Sequence, residues 1–212
     1  MTTSPLRESL PAIARRLDQA ESCFLGLDFD GTLAPIRSHP RDVVLEEPVR
    51  AVLRRLSAVP RTTVMIVSGR ALADVAQLVG LPELIYAGNH GLEIHGPGVS
   101  FVEPTAAAQR MHLKSLTDRL RESLSDVPGV IVEPKSLTTS VHDRNVPESR
   151  RPFVENAVRE VVADDSDRFV LTAGRRVWEI RPRVAWDKGR AIHWVLQRLE
   201  SSAGRLDFFL GD

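Results

Sequence analysis

The sequence predicts an α/β fold with a smaller α+β domain inserted into it. Between residues 20 and 90, short apolar segments alternate with amphipathic ones, which is typical of a parallel sheet covered by helices. Between residues 103 and 182 the order becomes helix, strand, strand, helix, strand, strand, which indicates antiparallel pairing. The first alternation then resumes. We therefore expect a discontinuous α/β core at 1–102 and 183–212 and an inserted α+β domain at 103–182.

The elements of the core follow from the spacing of apolar residues. Residues 4–20 have the pattern of an amphipathic helix that covers the sheet, and Pro11 marks either a kink or a helix start near Leu10. The proline-containing segment 34–47 is predicted to be a loop over the carboxyl ends of the strands. The other predicted core elements are strands at 23–29, 63–67 and 84–87, a helix that begins at Pro48, a short helix that follows Arg70 and runs through Leu72 to Gly80, a hairpin at 92–102, a helix at 188–199 and a strand at 206–210.

The inserted domain shows both helical and strand periods. Apolar residues at helical spacing predict helices at 105–125 and 152–163. Four short segments rich in β-branched residues, two after each helix, predict antiparallel strands at 130–133, 137–142, 169–172 and 176–180.

Composition excludes several classes of function. The 212 residues contain 28 basic and 28 acidic side chains, and this balance argues against broad nucleic-acid or membrane binding. A single cysteine, Cys23, excludes an internal disulfide and suggests a core residue in a reducing compartment. No apolar segment has the length of a signal-peptide core or a membrane span. We expect a cytoplasmic protein that binds neither nucleic acid nor membrane.

Two aspartates, Asp28 and Asp30, follow the first buried strand. Residues two apart on an extended chain face the same side, so the two carboxylates repel each other unless a cation lies between them. Mg²⁺ suits paired carboxylates that also meet a phosphate, and an aspartate can itself be a nucleophile. The alternative is a strand end with an Asp-Gly turn and no chemistry.

Polar residues also end the other core strands. Ser68, Gly69 and Arg70 follow the second strand, and Asn89 and His90 follow the third. Ligands of parallel sheets bind beyond the carboxyl ends of the strands. Taken alone, Ser68 could be only a helix cap and the two residues after the third strand could merely end it.

Lys188 opens the helix that follows the inserted domain. A cation is poorly placed there, because the helix N-terminus already carries positive partial charge. This position therefore indicates a nearby anion, although Lys188 could also be a solvated residue of the first turn.

The order of these motifs resembles the haloacid dehalogenase superfamily and, more closely, the trehalose-6-phosphate phosphatases. The resemblance rests on DFDGTL, VSGR, AGNHGLE, VEPK, HDR, EIRP and DKG, which begin at residues 28, 67, 87, 132, 142, 179 and 187. It implies a Rossmann-like core with an inserted cap, here 103–182. It also implies Mg²⁺-dependent hydrolysis of trehalose 6-phosphate to trehalose and phosphate through an aspartyl-phosphate.

The resemblance implies a role for each core motif. Asp28 would be the nucleophile, and Asp30 would act as general acid and then as general base. Mg²⁺ would be held by Asp28, by Asp30 through its carbonyl and by Asp212. Ser68 would hold a phosphate oxygen, and Lys188 would bring positive charge to the phosphoryl group. The residues predicted to bind the substrate are Thr32, Gly69, Arg70, Asn89, His90, Glu133, Lys135, His142, Arg144 and Glu179.

Several alternatives stay open at this point. Glu133, Lys135, His142, Arg144 and Glu179 lie on predicted cap strands, where they could bind a sugar or form a solvated face with salt bridges. Arg70 could bridge core and cap. The substrate could be another glycosyl phosphate, such as a glucosylglycerol or glycosylglycerate phosphate. The chain could also be a non-catalytic regulatory domain, and a functional link to a trehalose-phosphate synthase is possible.

The last motif of the resemblance stops at Asp212, where members of the family continue with further acidic residues. We therefore expect the chain to be a fragment that is weakly active or inactive by itself.

Overall fold

The structure is a computed structural model that describes residues 6–199 and 204–211. Its helices are α1 (Leu6–Gln19), α2 (Glu47–Ser57), α3 (Leu72–Val79), α4 (Pro104–Ala108), α5 (Arg110–Ser123), α6 (Arg151–Ala163) and α7 (Lys188–Leu196). Its strands are β1 (Ser22–Asp28), β2 (Thr62–Val67), β3 (Ile85–Gly88), β4 (Glu93–Gly96), β5 (Val99–Val102), β6 (Ile131–Pro134), β7 (Thr139–His142), β8 (Phe169–Gly174), β9 (Val177–Pro182) and β10 (Arg205–Leu210). The predicted α/β fold is confirmed, and most strand ends agree with the prediction within two residues.

The core sheet has the strand order β10-β1-β2-β3-β4-β5. The strands β10, β1, β2 and β3 run parallel to one another. Strand β4 pairs antiparallel with β3 on one side and with β5 on the other. Side chains alternate between the two faces, as they do on any pleated strand. On β1, Leu27 packs with Leu53 of α2 and Val75 of α3, whereas Phe24 packs with Ala191 of α7 on the opposite face. Helices on both faces therefore fix the carboxyl ends of β1, β2 and β3 at one edge of the molecule.

The inserted domain contains a four-stranded antiparallel sheet in the order β6-β7-β9-β8. One face is apolar, where Val141 and Ile180 pack with Leu116 of α5 and Val158 of α6. Because residues alternate, the neighbours of the apolar positions on these strands are polar and lie on the opposite face. That polar face is turned toward the strand ends of the core.

The first helix departs from the prediction in two ways. It begins at Leu6 and carries Pro11 inside it, so the proline does not set the start. Leu10 and Leu17 are 51% and 42% exposed, so the expectation that this apolar stripe is buried against the sheet is wrong for both residues. Together with Phe209 of β10 they line an apolar cavity of about 600 Å³.

Two predicted helices are shorter in the structure. The predicted helix 105–125 is divided into α4 and α5, because Gln109 has a ψ of 0° and leaves the helical conformation. The helix at 188–199 ends at Leu196. In both cases the predicted helix is too long, because the helical spacing of apolar residues continues past the point where the backbone hydrogen bonds of the helix end. Within the described ranges, no helix is long and apolar enough to cross a membrane.

Candidate active site

A cleft of about 360 Å³ lies between the carboxyl ends of the core strands and the polar face of the cap sheet. Eleven of the predicted site residues line it, although they come from distant parts of the chain. They are Asp28, Asp30, Gly69, Arg70, His90, Glu133, Lys135, His142, Arg144, Glu179 and Lys188. The fold therefore brings core motifs and cap motifs to one cavity.

Asp28 and Lys188 form a direct ion pair at the floor of the cleft. The Lys188 Nζ donates to Asp28 Oδ1 at 2.9 Å, and the backbone N–H of Phe29 donates to the same oxygen at 2.9 Å. The Asp28 side chain is 8% exposed, so little water screens the pair. The anion indicated by a lysine at a helix N-terminus is therefore Asp28. Within the described chain, no hydrogen bond reaches the second carboxylate oxygen of Asp28.

Asp30 is held by Arg70 through both carboxylate oxygens. Arg70 Nε lies 3.1 and 3.0 Å from Asp30 Oδ1 and Oδ2, and an Arg70 terminal nitrogen lies 2.8 Å from Oδ1. The same guanidinium also donates to Asp74 and to the Pro40 carbonyl, each at 3.1 Å. Burial alone would lower the pKa of Arg70, but the bonds to Asp30 and Asp74 outweigh it and raise that pKa. All these partners belong to the core, so the interpretation of Arg70 as a core–cap bridge is not supported by its hydrogen bonds.

Ser68 is completely buried at the end of β2 and lies beside both members of this ion pair. Its hydroxyl accepts the backbone N–H of Arg70 at 3.1 Å and lies 3.5 Å from Asp30 Oδ2. The hydroxyl thus fixes the turn that carries Arg70, as well as pointing toward the catalytic candidate Asp30.

The segment after β3 has a strained backbone. Asn89, His90 and Gly91 all have positive φ angles, of 49°, 58° and 92°. Such angles are costly for residues other than glycine, and they are found where surrounding contacts enforce them. Here the backbone N–H groups of Asn89 and His90 donate to the carbonyls of Arg70 and Ser68, at 2.7 and 2.9 Å. The loops after β2 and β3 are therefore locked together.

His90 lies at the seam between core and cap. A Cβ atom on Gly69 would stand 2.7 Å from the His90 ring, so the ring can occupy this place only because residue 69 is glycine. His90 Nε2 is 2.7 Å from Glu179 Oε2, but the geometry is poor for a hydrogen bond, and we treat the contact as electrostatic. Burial by itself would raise the pKa of Glu179, but the contacts with His90 and then Lys135 lower it.

The cap contributes a second set of paired polar groups. His142 Nε2 lies 2.8 Å from Glu133 Oε2; burial opposes ionisation of Glu133, but His142 and Lys135 lower its pKa. Lys135 Nζ donates to the carbonyl of Gly69 at 2.8 Å and lies 3.6 Å from Glu179. Lys135 thereby connects the cap to the core.

Arg144 was predicted to lie on a strand, but β7 ends at His142 and Arg144 lies beyond it. It lies in the following loop, where an NH₂ group donates to the carbonyl of Arg175 at 3.4 Å. Lys135 likewise lies just beyond the end of β6.

Asn89 does not line the cleft, although it was predicted to bind the substrate. It is fully buried, and its amide nitrogen donates to Glu93 and to Ser136, each at 2.7 Å. Its carbonyl oxygen accepts from Thr138 Oγ1 at 2.9 Å. The bonds to Ser136 and Thr138 join the core to the cap, so Asn89 positions the cap and does not face the cleft. The sequence held no signal for this role of Ser136 and Thr138, which lie between β6 and β7 in the structure.

Two further predicted residues, Ser68 and Thr32, are not among the described residues that line the cleft. Thr32 is exposed in the turn after Gly31. Asp212 lies outside the described residues. The structure adds cleft residues that the motifs did not identify, namely Ile36, Arg37, Ser38, Pro40, Val43, Ser140, Arg175 and Val177. Five of these belong to the segment 34–47, which was predicted to cover the site.

The donor groups present in the cleft fit a hard divalent cation. Asp28 offers a carboxylate oxygen without a hydrogen-bond partner in the described chain, and Mg²⁺ prefers oxygen ligands. No group of three or more histidine, cysteine or acidic side chains converges as a metal site within residues 6–199 and 204–211. A further carboxylate ligand for the cation would have to come from outside these residues, and the family resemblance implies Asp212 for this role.

Comparison with known proteins identifies the family. The family model for trehalose-phosphatase matches residues 26–212. Trehalose-phosphate phosphatases of Mycobacterium tuberculosis (strain H37Rv) and Mycobacterium avium are each 42% identical over 188 residues, which is 87% of this chain and 47% of theirs. The chain thus spans about half the length of the curated relatives that it matches.

A solved structure shows the same fold. The Candida albicans trehalose-6-phosphate phosphatase C-terminal domain superposes with a TM-score of 0.79, at 22% identity, over 94% of this chain and 72% of that domain. The match of the family model and the identity to the mycobacterial proteins lead to one conclusion: the chain belongs to the trehalose-phosphatase family.

Proposed function

We propose that this chain is a phosphoric monoester hydrolase that converts trehalose 6-phosphate to trehalose and phosphate. The observation that carries the proposal is the buried Asp28, paired with Lys188 at 2.9 Å at the floor of a cleft whose roof is polar. A carboxylate held in this way is a suitable nucleophile, because the lysine offsets the charge that an incoming phosphate brings.

In the proposed mechanism, an Asp28 oxygen attacks phosphorus while the bond to the sugar oxygen breaks. For this step Asp30 carries a proton on one oxygen in place of an Arg70 contact, and it gives that proton to the sugar oxygen, so the products are an aspartyl-phosphate and a free sugar. Asp30 then removes a proton from water, which attacks the phosphorus and releases phosphate from Asp28. Ser68 and Lys188 hold the phosphoryl oxygens. Mg²⁺ bound by Asp28, the Asp30 carbonyl and Asp212 would neutralise the negative charge between the nucleophile and the phosphoryl group.

The cap would recognise the sugar. Its polar side chains are paired with each other or with the core, as Glu133 is with His142 and Lys135 with Gly69. Sugar hydroxyls both donate and accept hydrogen bonds, so a bound disaccharide could replace these contacts one for one. A site built in this way rejects ligands that lack the hydroxyls, since its own polar groups would then stay unpaired. The predicted cytoplasmic location and the link to a trehalose-phosphate synthase remain predictions.

Phosphate release from a panel of sugar phosphates tests the proposal. We expect hydrolysis of trehalose 6-phosphate that requires Mg²⁺ and is weak in the 212-residue chain but faster in any longer product, and we expect Asp28→Asn to lower the rate by roughly three orders of magnitude or more. Asp118→Asn is the matched control, because Asp118 is an exposed residue of α5. Where the gene encodes residues beyond 212, the longer product is assayed alongside.

Each other outcome has a distinct meaning. Faster turnover of another glycosyl phosphate would assign the same chemistry to a different sugar. Binding of sugar phosphate without turnover, in both the chain and any longer product, would contradict the enzymatic proposal and favour the regulatory alternative.

A further inference from the structure

We propose that three arginines at the mouth of the cleft, Arg37, Arg144 and Arg175, form a second anion-binding subsite, the arginine rim. Its ligand would be a phosphate-type dianion, held before it reaches Asp28. The inference rests on the proposed function and deepens it, because the motifs that define the family do not include Arg37 or Arg175.

The cleft is positive although the chain as a whole has a formal net charge of zero. Its lining contains four carboxylates against six lysine and arginine side chains, a surplus of two positive charges with both histidines neutral. The carboxylates are Asp28, Asp30, Glu133 and Glu179, and the cations are Arg37, Arg70, Lys135, Arg144, Arg175 and Lys188. The surplus is therefore a local feature of this cavity.

The cations at the floor of the cleft are already matched. Lys188 pairs with Asp28, and Arg70 pairs with Asp30 and Asp74. Lys135 lies 3.6 Å from Glu179, and Glu133 lies 2.8 Å from His142. No arginine of the rim has a carboxylate within 4.0 Å in the described parts of the chain. The uncompensated positive charge of the cleft is therefore concentrated at its mouth.

The backbone that carries the rim is anchored on the cap side. Arg175 is in the turn between β8 and β9, where Arg176 has a positive φ of 67° and its carbonyl accepts the N–H of Asp143 at 3.2 Å. Arg144 donates to the carbonyl of Arg175, which holds these two residues together. Arg37 belongs to the core loop that follows β1. The rim thus combines one arginine from the core with two from the cap.

Guanidinium groups suit phosphate, because their planar donors match two phosphate oxygens at once. Arg37 and Arg175 are exposed and Arg144 is half-buried, whereas Asp28 is buried, so a phosphate monoester that enters from solvent meets the rim before it meets Asp28. Clefts lined by one sign of charge raise the local concentration of a counter-ion and its rate of association, and salt weakens the effect. The rim should therefore govern capture of the substrate more than the chemical step.

The decisive measurement is kcat/KM for trehalose 6-phosphate at low and at high ionic strength. The test protein carries Arg37→Gln and Arg175→Gln, which leaves Arg144, a predicted sugar ligand, in place. We expect kcat/KM to fall roughly tenfold at low salt, and to vary less with salt than in the unaltered chain. The control carries Arg15→Gln and Arg16→Gln, an equal change of charge on exposed residues of α1. An equal loss in the control, or no loss in the test protein, would overturn the rim as a site that captures the substrate.

A binding measurement separates the rim from the proposed function. Calorimetric titration with inorganic phosphate at low ionic strength needs no turnover, and we expect weaker binding in the double variant than in the control. Loss of phosphate binding without a change in kcat/KM would assign the rim to free phosphate rather than to substrate. Equal phosphate binding in all three proteins, together with equal kcat/KM, would refute the rim. If no sugar phosphate is hydrolysed, the proposed function fails and the titration still decides on the rim.

Discussion

At the scale of single residues, the contact between Lys188 and Asp28 joins positions 160 residues apart. The lysine is 32% exposed, so its ammonium reaches both the buried carboxylate and the cleft. A compact ammonium on a flexible stem suits this dual role better than a planar guanidinium. Lys188 thus stabilises the ionised form of Asp28, and in the proposed mechanism it also contacts a phosphoryl oxygen.

Replacing Lys188 tests this arrangement. We expect Lys188→Met to lower kcat by roughly 10²–10³-fold, because a positive group that faces the transferring phosphoryl charge is lost. Lys114→Met is the matched control, since Lys114 is an exposed partner of Asp118 on α5. Steady-state kinetics with trehalose 6-phosphate gives the result, and thermal unfolding identifies any loss of folded protein. Equal kcat in both variants would remove Lys188 from the proposed mechanism.

At the scale of elements, β3 connects the core to the strained loop that carries His90. Its Tyr86 is buried, and the hydroxyl donates to the Leu81 carbonyl at 2.7 Å and accepts the Leu81 N–H at 3.3 Å. These bonds fix the turn between α3 and β3. Burial, opposed by the hydrogen bond to Leu81, raises the pKa of Tyr86 to about 12.

This pKa predicts a loss of stability at alkaline pH. Because the pKa of Tyr86 is raised above its ordinary value of 10.0, its contribution is complete below pH 10 and is lost as pH rises toward 12. Tyr86→Phe should cost about 1 kcal/mol at neutral pH through the unpaired Leu81 groups, and should lack this alkaline loss. Denaturant unfolding at several pH values measures both effects.

Tyr86 is the sole tyrosine of the sequence, so ultraviolet absorbance follows its ionisation directly. Appearance of tyrosinate near pH 10 in the folded protein would contradict the prediction. Burial of Ile85, Tyr86 and Ala87 fixes β3 in the sheet, and this fixes the position of Asn89 and His90 directly after it.

At the scale of the whole molecule, a few polar contacts set the position of the cap over the core. Glu179 of β9 meets His90 of the core at 2.7 Å, and Lys135 reaches the Gly69 carbonyl. Asn89 adds two hydrogen bonds to the cap segment that begins at Ser136. Glu179, His90 and Lys135 also line the cleft, so contacts that hold the cap against the core also form part of the site.

We expect Glu179→Gln to loosen this closure. Loss of the negative charge weakens the contacts with His90 and Lys135, and amide exchange at the core–cap seam should rise roughly tenfold, or about 1.4 kcal/mol. Glu155→Gln is the control, because Glu155 pairs with Arg159 on the surface of α6. Hydrogen exchange followed by mass spectrometry compares the two. Equal exchange in both variants would show that the seam does not depend on Glu179.

The same contacts predict a dependence on acid. The pKa of Glu179 is lowered from 4.5, so its stabilising effect is complete above pH 4.5 and is lost as pH falls through the lowered value. We therefore expect the cap to move away from the core as pH falls in the unaltered chain, and to move less in Glu179→Gln. Small-angle scattering at several pH values would detect this change in cap position.

The pattern of polar and apolar residues was sufficient to predict much of the fold and the place of Asp28 and Lys188 at the floor of the cleft. Apolar residues with a period of two or 3.6 determine which face of each element is buried, and this information is local. Because parallel strands end at one edge, the motifs that follow β1 and β2 had to meet, which predicted the proximity of Asp30 and Ser68. Lys188 was placed beside an anion by a different argument, its position at a helix N-terminus. The α/β fold was predicted from the same local periods, whereas the bounds 103–182 of the inserted domain stay a prediction.

The tertiary structure alone decided which partner each polar side chain has. Asn89 was predicted beside the substrate but is buried between core and cap, and Thr32 lies in an exposed turn. Arg37 and Arg175 carry no motif, and only the closing of the cap places both at one cavity. The physical reason is that hydrogen bonds and ion pairs depend on distances between elements far apart in sequence, which no local period encodes. The sequence thus determined what each element buries, whereas the approach of cap and core determined what the cleft presents to a ligand.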